Sequence, residues 1–208
     1  KFGFRTDFTY AASSLEIIDG AGDGSDYNII THWEYTDSDY TSVTLINIDE
    51  INLQTHATVA GIDDAMTYRL EGGNIINSGN NDDTFIIEGD SGMFSEINGN
   101  AGTNIILGGN GDDNIGLSSG FDASNSINSI DGGLGTNQIM LGNSSAMDFS
   151  STTLINIDGI IGDNTNNSII GSAGADIIFG GAGNDTLTGG GGADTFVWRG
   201  GDESIRTV

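Results

Sequence analysis

Three nine-residue units follow one another without a gap near the end of this chain. They are residues 171–179, 180–188 and 189–197. Each unit opens with small, glycine-rich residues, carries Asp at its sixth place and has a large apolar residue at its eighth place. The sixth-place residues are Asp176, Asp185 and Asp194, and the eighth-place residues are Ile178, Leu187 and Phe196. A flexible Gly-rich linker has no such periodic apolar position, so the pattern predicts a regular fold that repeats one backbone path.

Each unit combines a turn with a short strand. We expect glycine at the first, second and fourth places to let the backbone adopt positive φ and approach an ion closely. The sixth-place Asp offers a hard oxygen ligand, and main-chain carbonyls of the turn offer the others. Such an all-oxygen, flexible shell suits Ca²⁺ better than zinc or copper. The predicted metal-site residues in these units are Ser172, Gly174, Asp176, Gly181, Gly183, Asp185, Gly190, Gly192 and Asp194.

The nine-residue period also predicts how the units stack. If the apolar eighth residue points inward, two units complete one coil, and units eighteen residues apart lie on the same side. Asp176 and Asp194 would then line one edge of the stack, and Asp185 would line the other edge above Asn167. One calcium ion would sit between successive turns on each edge. The apolar run 196–198 would cover the open end, because the last coil of a solenoid needs a cap.

Further copies of the unit occur earlier in the chain. Residues 108–116 are a good copy, 78–86 a looser one and 21–29, with Asp26, a degenerate one, whereas 99–107, 132–140 and 162–170 carry Asn at the sixth place. These copies add Gly109, Gly111, Asp113, Asp83 and Asn167 to the predicted metal-site residues. Asn offers a carbonyl oxygen without charge, so the copies with Asn104, Asn137 and Asn167 should bind calcium weakly or not at all. Stacked Asn side chains can instead form hydrogen-bonded ladders.

No long segment has a helical period. Short pairs of aliphatic residues bounded by Gly, Asn or Asp recur throughout, which predicts an all-β fold, and their even spacing favours a right-handed parallel β-solenoid, or β-roll, with calcium-binding turns. The string Thr-Leu-Ile-Asn-Ile-Asp occurs at residues 44–49 and again at 153–158. We therefore predict one elongated domain, with a divergent, internally duplicated solenoid over residues 1–161 and a regular β-roll with its end cap over residues 162–208.

Composition limits the partners. The chain has 30 Asp and Glu residues against 5 Lys and Arg residues, a formal net charge of −25. Nucleic acid and anionic lipid both require basic surface, and no apolar run approaches the ~20 residues that span a bilayer, so neither nucleic-acid binding nor membrane insertion is expected. Calcium ions are the natural partner, since without them the carboxylates repel one another. The chain has no Cys, so it forms no disulfides, which suits an exported protein stabilised by ions.

Motifs of catalysis are missing from the sequence. The two His residues, His32 and His56, do not form the H-E-x-x-H motif of zinc proteases, and no G-x-S-x-G motif of lipases occurs. Adjacent carboxylates, such as those at 63–64, 82–83 and 112–113, could suggest glycosidase acids. On a strand they point to opposite faces, so we expect solvated or calcium-facing roles. The chain is predicted not to be an enzyme.

The nonapeptides, the Leu-Ile-Asn-Ile-Asp strings and residues 192–199 together resemble the C-terminal repeats of large RTX proteins, and the giant RTX adhesins most of all. The resemblance implies a calcium-binding β-roll of a secreted or cell-surface bacterial protein that folds on calcium after type I secretion and has an adhesin-like structural role. Alternatives are the non-catalytic tail of an exported protease, lipase or epimerase, and an S-layer-like surface protein. In the family a secretion signal follows the repeats, so we expect a longer parent protein with surface or self-assembly partners bound through neighbouring regions. Ice binding would need a regular Thr column, and none is present.

Overall fold

In a computed structural model of the chain, residues 65–70, 74–87, 95–118, 120–142 and 146–197 are described in full. Elsewhere the structure describes short strands, with few of their side chains. The strands are β1 (Ile17–Asp19), β2 (Ile29–His32), β3 (Asp37–Asp39), β4 (Thr44–Ile46), β5 (Glu50–Leu53), β6 (Thr58–Ala60), β7 (Thr67–Leu70), β8 (Ile75–Asn77), β9 (Thr84–Ile87), β10 (Glu96–Asn98), β11 (Asn104–Leu107), β12 (Asn114–Ser118), β13 (Ile127–Asp131), β14 (Gln138–Gly142), β15 (Ala146–Asp148), β16 (Thr153–Ile155), β17 (Gly159–Ile161), β18 (Ser168–Ile170), β19 (Ile177–Phe179), β20 (Asn184–Thr188), β21 (Thr195–Val197) and β22 (Ser204–Thr207).

Every described strand pair is parallel, and the strands form five sheets. We call them sheet A (β1-β4), sheet B (β16-β13-β11-β9-β7-β5-β2), sheet C (β10-β8-β6-β3), sheet D (β12-β14-β17-β19-β21) and sheet E (β15-β18-β20-β22). Among the described residues the one helical element is a 3-10 turn at Ala123–Asn125. None of the described segments is a helix long and apolar enough to cross a membrane. The predicted all-β parallel solenoid is confirmed.

The number of sides of the coil changes along the chain. Strands of sheets B and C alternate between β5 and β10, and strands of sheets D and E alternate from β17 onward. Between them the chain visits three sheets, because β13, β14 and β15 belong to sheets B, D and E in turn. The number of residues in one coil changes with the number of its sides. Ile160 pairs with Ile178, eighteen residues later, whereas Ile106 pairs with Ile130, twenty-four residues later. The eighteen-residue coil predicted from the nonapeptides is therefore confirmed for β17, β19 and β21 of sheet D and for β18 and β20 of sheet E.

The core is a column of inward-pointing apolar side chains that runs along the solenoid axis. The eighth-place residues Phe85, Ile115, Ile178 and Leu187 are all fully buried, as the repeat predicts. In sheet B the ring of Tyr68 stacks on that of Phe85 with a centroid distance of 5.3 Å. At the end of the described solenoid Phe196 packs against this core. Trp198, the last residue of the predicted cap, lies outside the described residues, as do Asp26, His56 and the carboxylates at 63–64.

Strand pairing repeats across the two copies of the Leu-Ile-Asn-Ile-Asp string. In the first copy β1 pairs with β4, with Ile18 opposite Leu45. In the second β13 pairs with β16, with Ile130 opposite Leu154, and the two registers are the same. In both copies the second strand is the last of its sheet. This shared arrangement agrees with an internal duplication, and the division at residues 161 and 162 remains a prediction.

Candidate calcium site

The sixth-place side chains of the repeats are buried at the turns that lead into the strands. The buried members are Asp83, Asn104, Asp113, Asn137, Asn167, Asp176 and Asp185, whereas Asp194 in the last described turn is half-buried. A carboxylate removed from water requires hydrogen bonds or a cation to compensate for its lost hydration. The partners of these side chains therefore decide what the turns can hold.

In five of the repeats one oxygen of the sixth-place side chain joins its turn to the coil before it. Oδ1 of Asp194 accepts the main-chain N–H of Asp176 at 3.1 Å, and Oδ1 of Asp185 accepts that of Asn167 at 2.9 Å. The two predicted edges are confirmed, with Asp176 and Asp194 on one and Asp185 above Asn167 on the other. Each such bond satisfies a main-chain donor at the turn, where the β ladder does not reach.

The same ladder continues through the divergent coils, although their lengths differ. Oδ1 of Asp83 accepts the N–H of Met66 at 2.9 Å, and Oδ1 of Asn104 accepts the N–H of Asp83 at 2.8 Å. On the other edge Oδ1 of Asn137 accepts the N–H of Asp113 at 3.1 Å. Asp and Asn therefore serve equally well as rungs of the ladder, since both present an acceptor oxygen at this place.

The second carboxylate oxygen faces the turn to which the residue belongs. Oδ2 of Asp176 accepts the N–H of Ser172 at 2.7 Å and lies 3.1 Å from the Ser172 hydroxyl. Oδ2 of Asp113 accepts the N–H of Gly109 at 2.6 Å. In both turns the donor is the second residue of the unit. The predicted residues Ser172 and Asp176, and likewise Gly109 and Asp113, are thus brought together.

Glycine serves two different purposes in the turns. Positive φ occurs at the second and fourth places of units 180–188 and 189–197, at Gly181 (93°), Gly183 (127°), Gly190 (90°) and Gly192 (95°). A Cβ on Gly181 would collide with the carbonyl oxygen of Asp163 in the coil below, and one on Gly192 with that of Gly174. Glycine at these places lets two turns stack in main-chain contact.

Our expectation of positive φ at the first place of the unit is wrong. Positive φ is also missing at the second and fourth places of unit 108–116 and at the fourth place of unit 171–179. Gly180 has an ordinary φ, and so do Gly109, Gly111 and Gly174. Glycine is needed at the first place for space, because a Cβ on Gly180 would lie 2.5 Å from Oδ2 of Asp185. The first-place glycine therefore makes room for the sixth-place side chain of its own unit.

Burial sets the proton affinity of two of these carboxyls. It raises the pKa of Asp83, against hydrogen bonds from Ser78 and Met66. It also raises the pKa of Asp176, where hydrogen bonds from Ser172 oppose the rise and the nearby Asp194 adds to it. For Asp163 burial acts in the same direction, but hydrogen bonds from Thr165 and Asn167 outweigh it and lower the pKa. A cation beside Asp83 or Asp176 would compete directly with a proton.

The Asp-bearing turns fit a calcium ion. Oδ2 of Asp83 is buried and receives no well-formed hydrogen bond within the described residues, which leaves it available for a cation. No three His, Asp or Glu side chains gather at one point in the described part of the chain. Each turn thus offers one carboxylate, and main-chain carbonyls would complete the shell. Calcium accepts this all-oxygen set, with main-chain carbonyls among its usual ligands.

A second ladder, at the fifth place, was not foreseen from the sequence. Oδ1 of Asp82 accepts the N–H of Thr103 at 2.7 Å, and Oδ1 of Asp112 accepts that of Thr136 at 2.8 Å. These exposed side chains reach forward to the next coil, whereas the Oδ1 atoms of the sixth-place ladder reach backward. The prediction that neighbouring carboxylates point to opposite faces is confirmed, since Asp82 and Asp112 are exposed while the next residue in each pair is buried.

Comparison with known proteins supports this reading of the turns. The family model described as the RTX calcium-binding nonapeptide repeat matches residues 96–123 and 161–196, in four copies. The matched ranges contain Asp113, Asp176, Asp185 and Asp194, and they leave out Asp83. No curated protein matches the chain, and no solved structure does.

Proposed function

We propose that this chain, which matches the RTX calcium-binding nonapeptide repeat over residues 96–123 and 161–196, is a calcium-folded structural segment of a secreted or cell-surface bacterial protein. Its β-roll repeats bind Ca²⁺. The observation that carries the proposal is the contact between successive turns in which Oδ1 of Asp194 accepts the main-chain N–H of Asp176 at 3.1 Å, together with the rise that the Asp194 charge causes in the pKa of Asp176. It brings two sixth-place carboxylates of successive turns close together, where a divalent cation would relieve their repulsion.

We assign calcium ligands turn by turn. One site would use Ser172, Gly174 and Asp176 together with the turn above them, Gly190, Gly192 and Asp194. A second would use Gly181, Gly183 and Asp185 above Asn167, whose neutral amide makes this site weaker. Two further sites would lie at Gly109, Gly111 and Asp113, and at Asp83. Carboxylate oxygens come from the Asp side chains, and carbonyl oxygens from the glycine-rich turns.

Calcium would act on this chain as a folding ligand. It binds the stacked turns and hardly binds the unfolded chain, so each site stabilises the fold by RT ln(1 + [Ca²⁺]/Kd). Extracellular calcium modules bind at about 10⁻⁴–10⁻³ M, well above cytosolic calcium and near the level outside cells. The formal charge of −25 opposes compaction until the ions arrive.

This difference between compartments supports export before folding. A chain whose ion-dependent coils stay unfolded inside the cell can pass through a type I secretion channel and complete its fold when it meets calcium outside. The absence of Pro removes slow X-Pro isomerisation from that step. Once folded, the elongated stack of coils suits an adhesin-like supporting role, in which the segment carries a neighbouring region that contacts a surface.

The test is circular dichroism of the whole chain, first in calcium-free buffer and then with added ions. We expect the β-sheet signal to fall when calcium is removed and to return in millimolar calcium, but not in magnesium at the same concentration. Magnesium is a sharp control because it demands octahedral geometry and gives up its water reluctantly. If calcium changes neither the spectrum nor the melting temperature and none is retained after dialysis, the proposal is wrong.

A further inference from the structure

One of the matched repeats contains a group that already occupies the place of a cation. The turn at residues 99–104 has Asn104 at its sixth place and no carboxylate of its own. The Asn104 side chain is fully buried. Its Nδ2 donates to the carbonyl oxygens of Gly99 at 2.9 Å, Ala101 at 3.1 Å and Ser126 at 3.1 Å. Three carbonyls from two successive coils therefore converge on one nitrogen.

The chemistry of the surroundings fixes the orientation of this amide. Its Oδ1 lies 2.8 Å from the main-chain N of Asp83, which is a donor. The three groups around Nδ2 are carbonyl oxygens, which are acceptors. Rotating the amide by 180° would place oxygen against three oxygens and nitrogen against N–H, so only the observed orientation satisfies every group. The two N–H groups of Nδ2 reach three acceptors because one of them is shared between two carbonyls in a three-centre hydrogen bond.

Donor distances show why this arrangement suits nitrogen and not the metal. Calcium holds its oxygen ligands at about 2.3–2.6 Å, whereas the carbonyls here lie at 2.9–3.1 Å, the normal range for N–H···O bonds. With the amide in place, the turn has neither room for an ion nor a charge to attract one. The residues of this repeat therefore do not fit calcium.

The amide nitrogens of Asn137 and Asn167 also donate hydrogen bonds at their turns, but to different kinds of acceptor. Nδ2 of Asn137 donates to the carbonyl of Asn156 at 3.1 Å in the next coil. Nδ2 of Asn167 donates instead to the Asp163 carboxylate at 3.0 Å, inside its own turn. The turn of Asn167 therefore keeps a negative charge that can still attract a cation, whereas the turn of Asn104 has none.

We propose that the turn at residues 99–104 is a metal-free repeat in which the Asn104 amide, bonded to the carbonyls of Gly99, Ala101 and Ser126, replaces calcium and holds the adjoining coils together when calcium is absent. The inference rests on the proposed calcium-binding function of the other repeats. The solenoid would then contain coils held together by amide hydrogen bonds with or without calcium, and coils whose stacking depends on the ion. Folding outside the cell would then extend from a section that needs no calcium.

Peptide-resolved hydrogen exchange of the unaltered chain tests this directly. We expect removal of calcium to change exchange in residues 99–107 by less than about threefold, and to speed exchange in residues 171–179 and 189–197 by more than about tenfold, because only the latter open locally without the ion. Loss of protection in all three segments together would overturn the inference while leaving calcium binding intact. A chain that binds no calcium at all would overturn the proposed function. In that case unprotected amides in residues 99–107 would overturn the inference as well.

Two variants complete the test. Asn104→Asp keeps the acceptor toward Asp83 but removes the N–H donors, so it should bind one more calcium ion per chain in equilibrium dialysis and make exchange in 99–107 depend on calcium. Asn104→Ala removes the donors without adding charge, so it should lose protection in this segment and gain no ion. An Asn104→Asp chain with unchanged stoichiometry, or with protection in calcium-free buffer equal to that of the unaltered chain, would refute the exchange of amide for ion.

Discussion

Asp185 lies one coil above Asn167, and its Oδ1 accepts the main-chain N–H of that residue at 2.9 Å. The sixth-place Asp of this repeat therefore contributes to the fold independently of any ion. One oxygen satisfies a donor of the coil below, and in the proposed site the negative charge of the carboxylate would bind the metal. Asn can perform the first task but not the second, and this explains why both residue types occur at the sixth place along one solenoid.

Substitutions at Asp185 should separate the two tasks. Asp185→Asn and Asp185→Ala should both weaken calcium binding in titration calorimetry, and Asn137→Ala should weaken it less. At calcium concentrations far above the Kd, Asp185→Ala should be less stable to urea than Asp185→Asn by about 1–3 kcal/mol, because only Ala leaves the buried N–H of Asn167 without this acceptor. Equal stability of the two Asp185 variants would show that the hydrogen bond is unimportant.

Substitution by Ala should have opposite effects at two glycines of the turns. Gly181 has a φ of 93°, and a Cβ there would collide with the carbonyl of Asp163. Gly181→Ala should cost more than about 2 kcal/mol in urea unfolding, since the left-handed backbone alone costs an L-residue about 1–2 kcal/mol. Gly111 is the matched control: its φ is ordinary and a Cβ would meet nothing within 4 Å. Gly111→Ala should therefore leave stability nearly unchanged, and a comparable loss in both variants would contradict the stacking argument.

The fifth-place ladder should make a small contribution. Asp112 accepts the N–H of Thr136 at 2.8 Å at an exposed position, where water can replace a lost partner. Asp112→Ala should destabilise the chain by about 0.5–1 kcal/mol relative to Asp112→Asn, the usual net value of one such bond. The comparison with Asn removes the effect of charge on calcium. Equal losses in the two variants would assign the role of Asp112 to its charge and not to this hydrogen bond.

The sequence predicts the regular coils well because turn and strand chemistry repeat in step there. Ile178 and Leu187 are buried, and Asp194 lies above Asp176, where the nine-residue period places them. The central coils follow another rule. Residues 120–126 belong to a further segment in which Asp122 caps the 3-10 turn by accepting the N–H of Ser124 at 2.7 Å, and the coil gains a third side. The nine-residue repeat cannot predict an inserted segment whose structure is set by its own local hydrogen bonds.

The fifth place escaped sequence reasoning for a different reason. Two neighbouring carboxylates look alike in the sequence, and only the pleat separates them. Asp113 is buried and accepts the N–H of Gly109 within its own turn, whereas Asp112 is exposed and accepts the N–H of Thr136 in the next coil. Likewise, the sequence showed that Asn104 lacks charge, but not that its Nδ2 would meet three carbonyls, one of them from Ser126 in the next coil.

The calcium-free chain should become more stable as the pH falls. Burial raises the pKa of Asp176, and Asp194 adds to that rise, so the folded state binds this proton more tightly than the unfolded state does. The resulting stabilisation is complete below the ordinary Asp pKa of about 3.9 and is lost as the pH rises through the raised value. Burial acts on Asp83 in the same direction. Asp163 opposes them, because its pKa is lowered, but its contribution is lost only below the ordinary Asp pKa.

Circular dichroism in metal-free buffers should therefore show more β-sheet at about pH 4.5 than at about pH 7.5, because the lower pH lies closer to the ordinary Asp pKa of about 3.9, below which the stabilisation is complete. Buffers freed of calcium by resin are needed, because chelators themselves lose calcium affinity in acid. With saturating calcium the trend should reverse, since the ion and the proton compete for the same oxygens. Asp176→Asn should flatten the metal-free dependence, whereas Asp122→Asn, at an exposed carboxyl whose pKa is lowered by Ser124, should leave it unchanged in this window. A metal-free signal that grows from acid to neutral pH would mean that protons do not take the place of calcium in these turns.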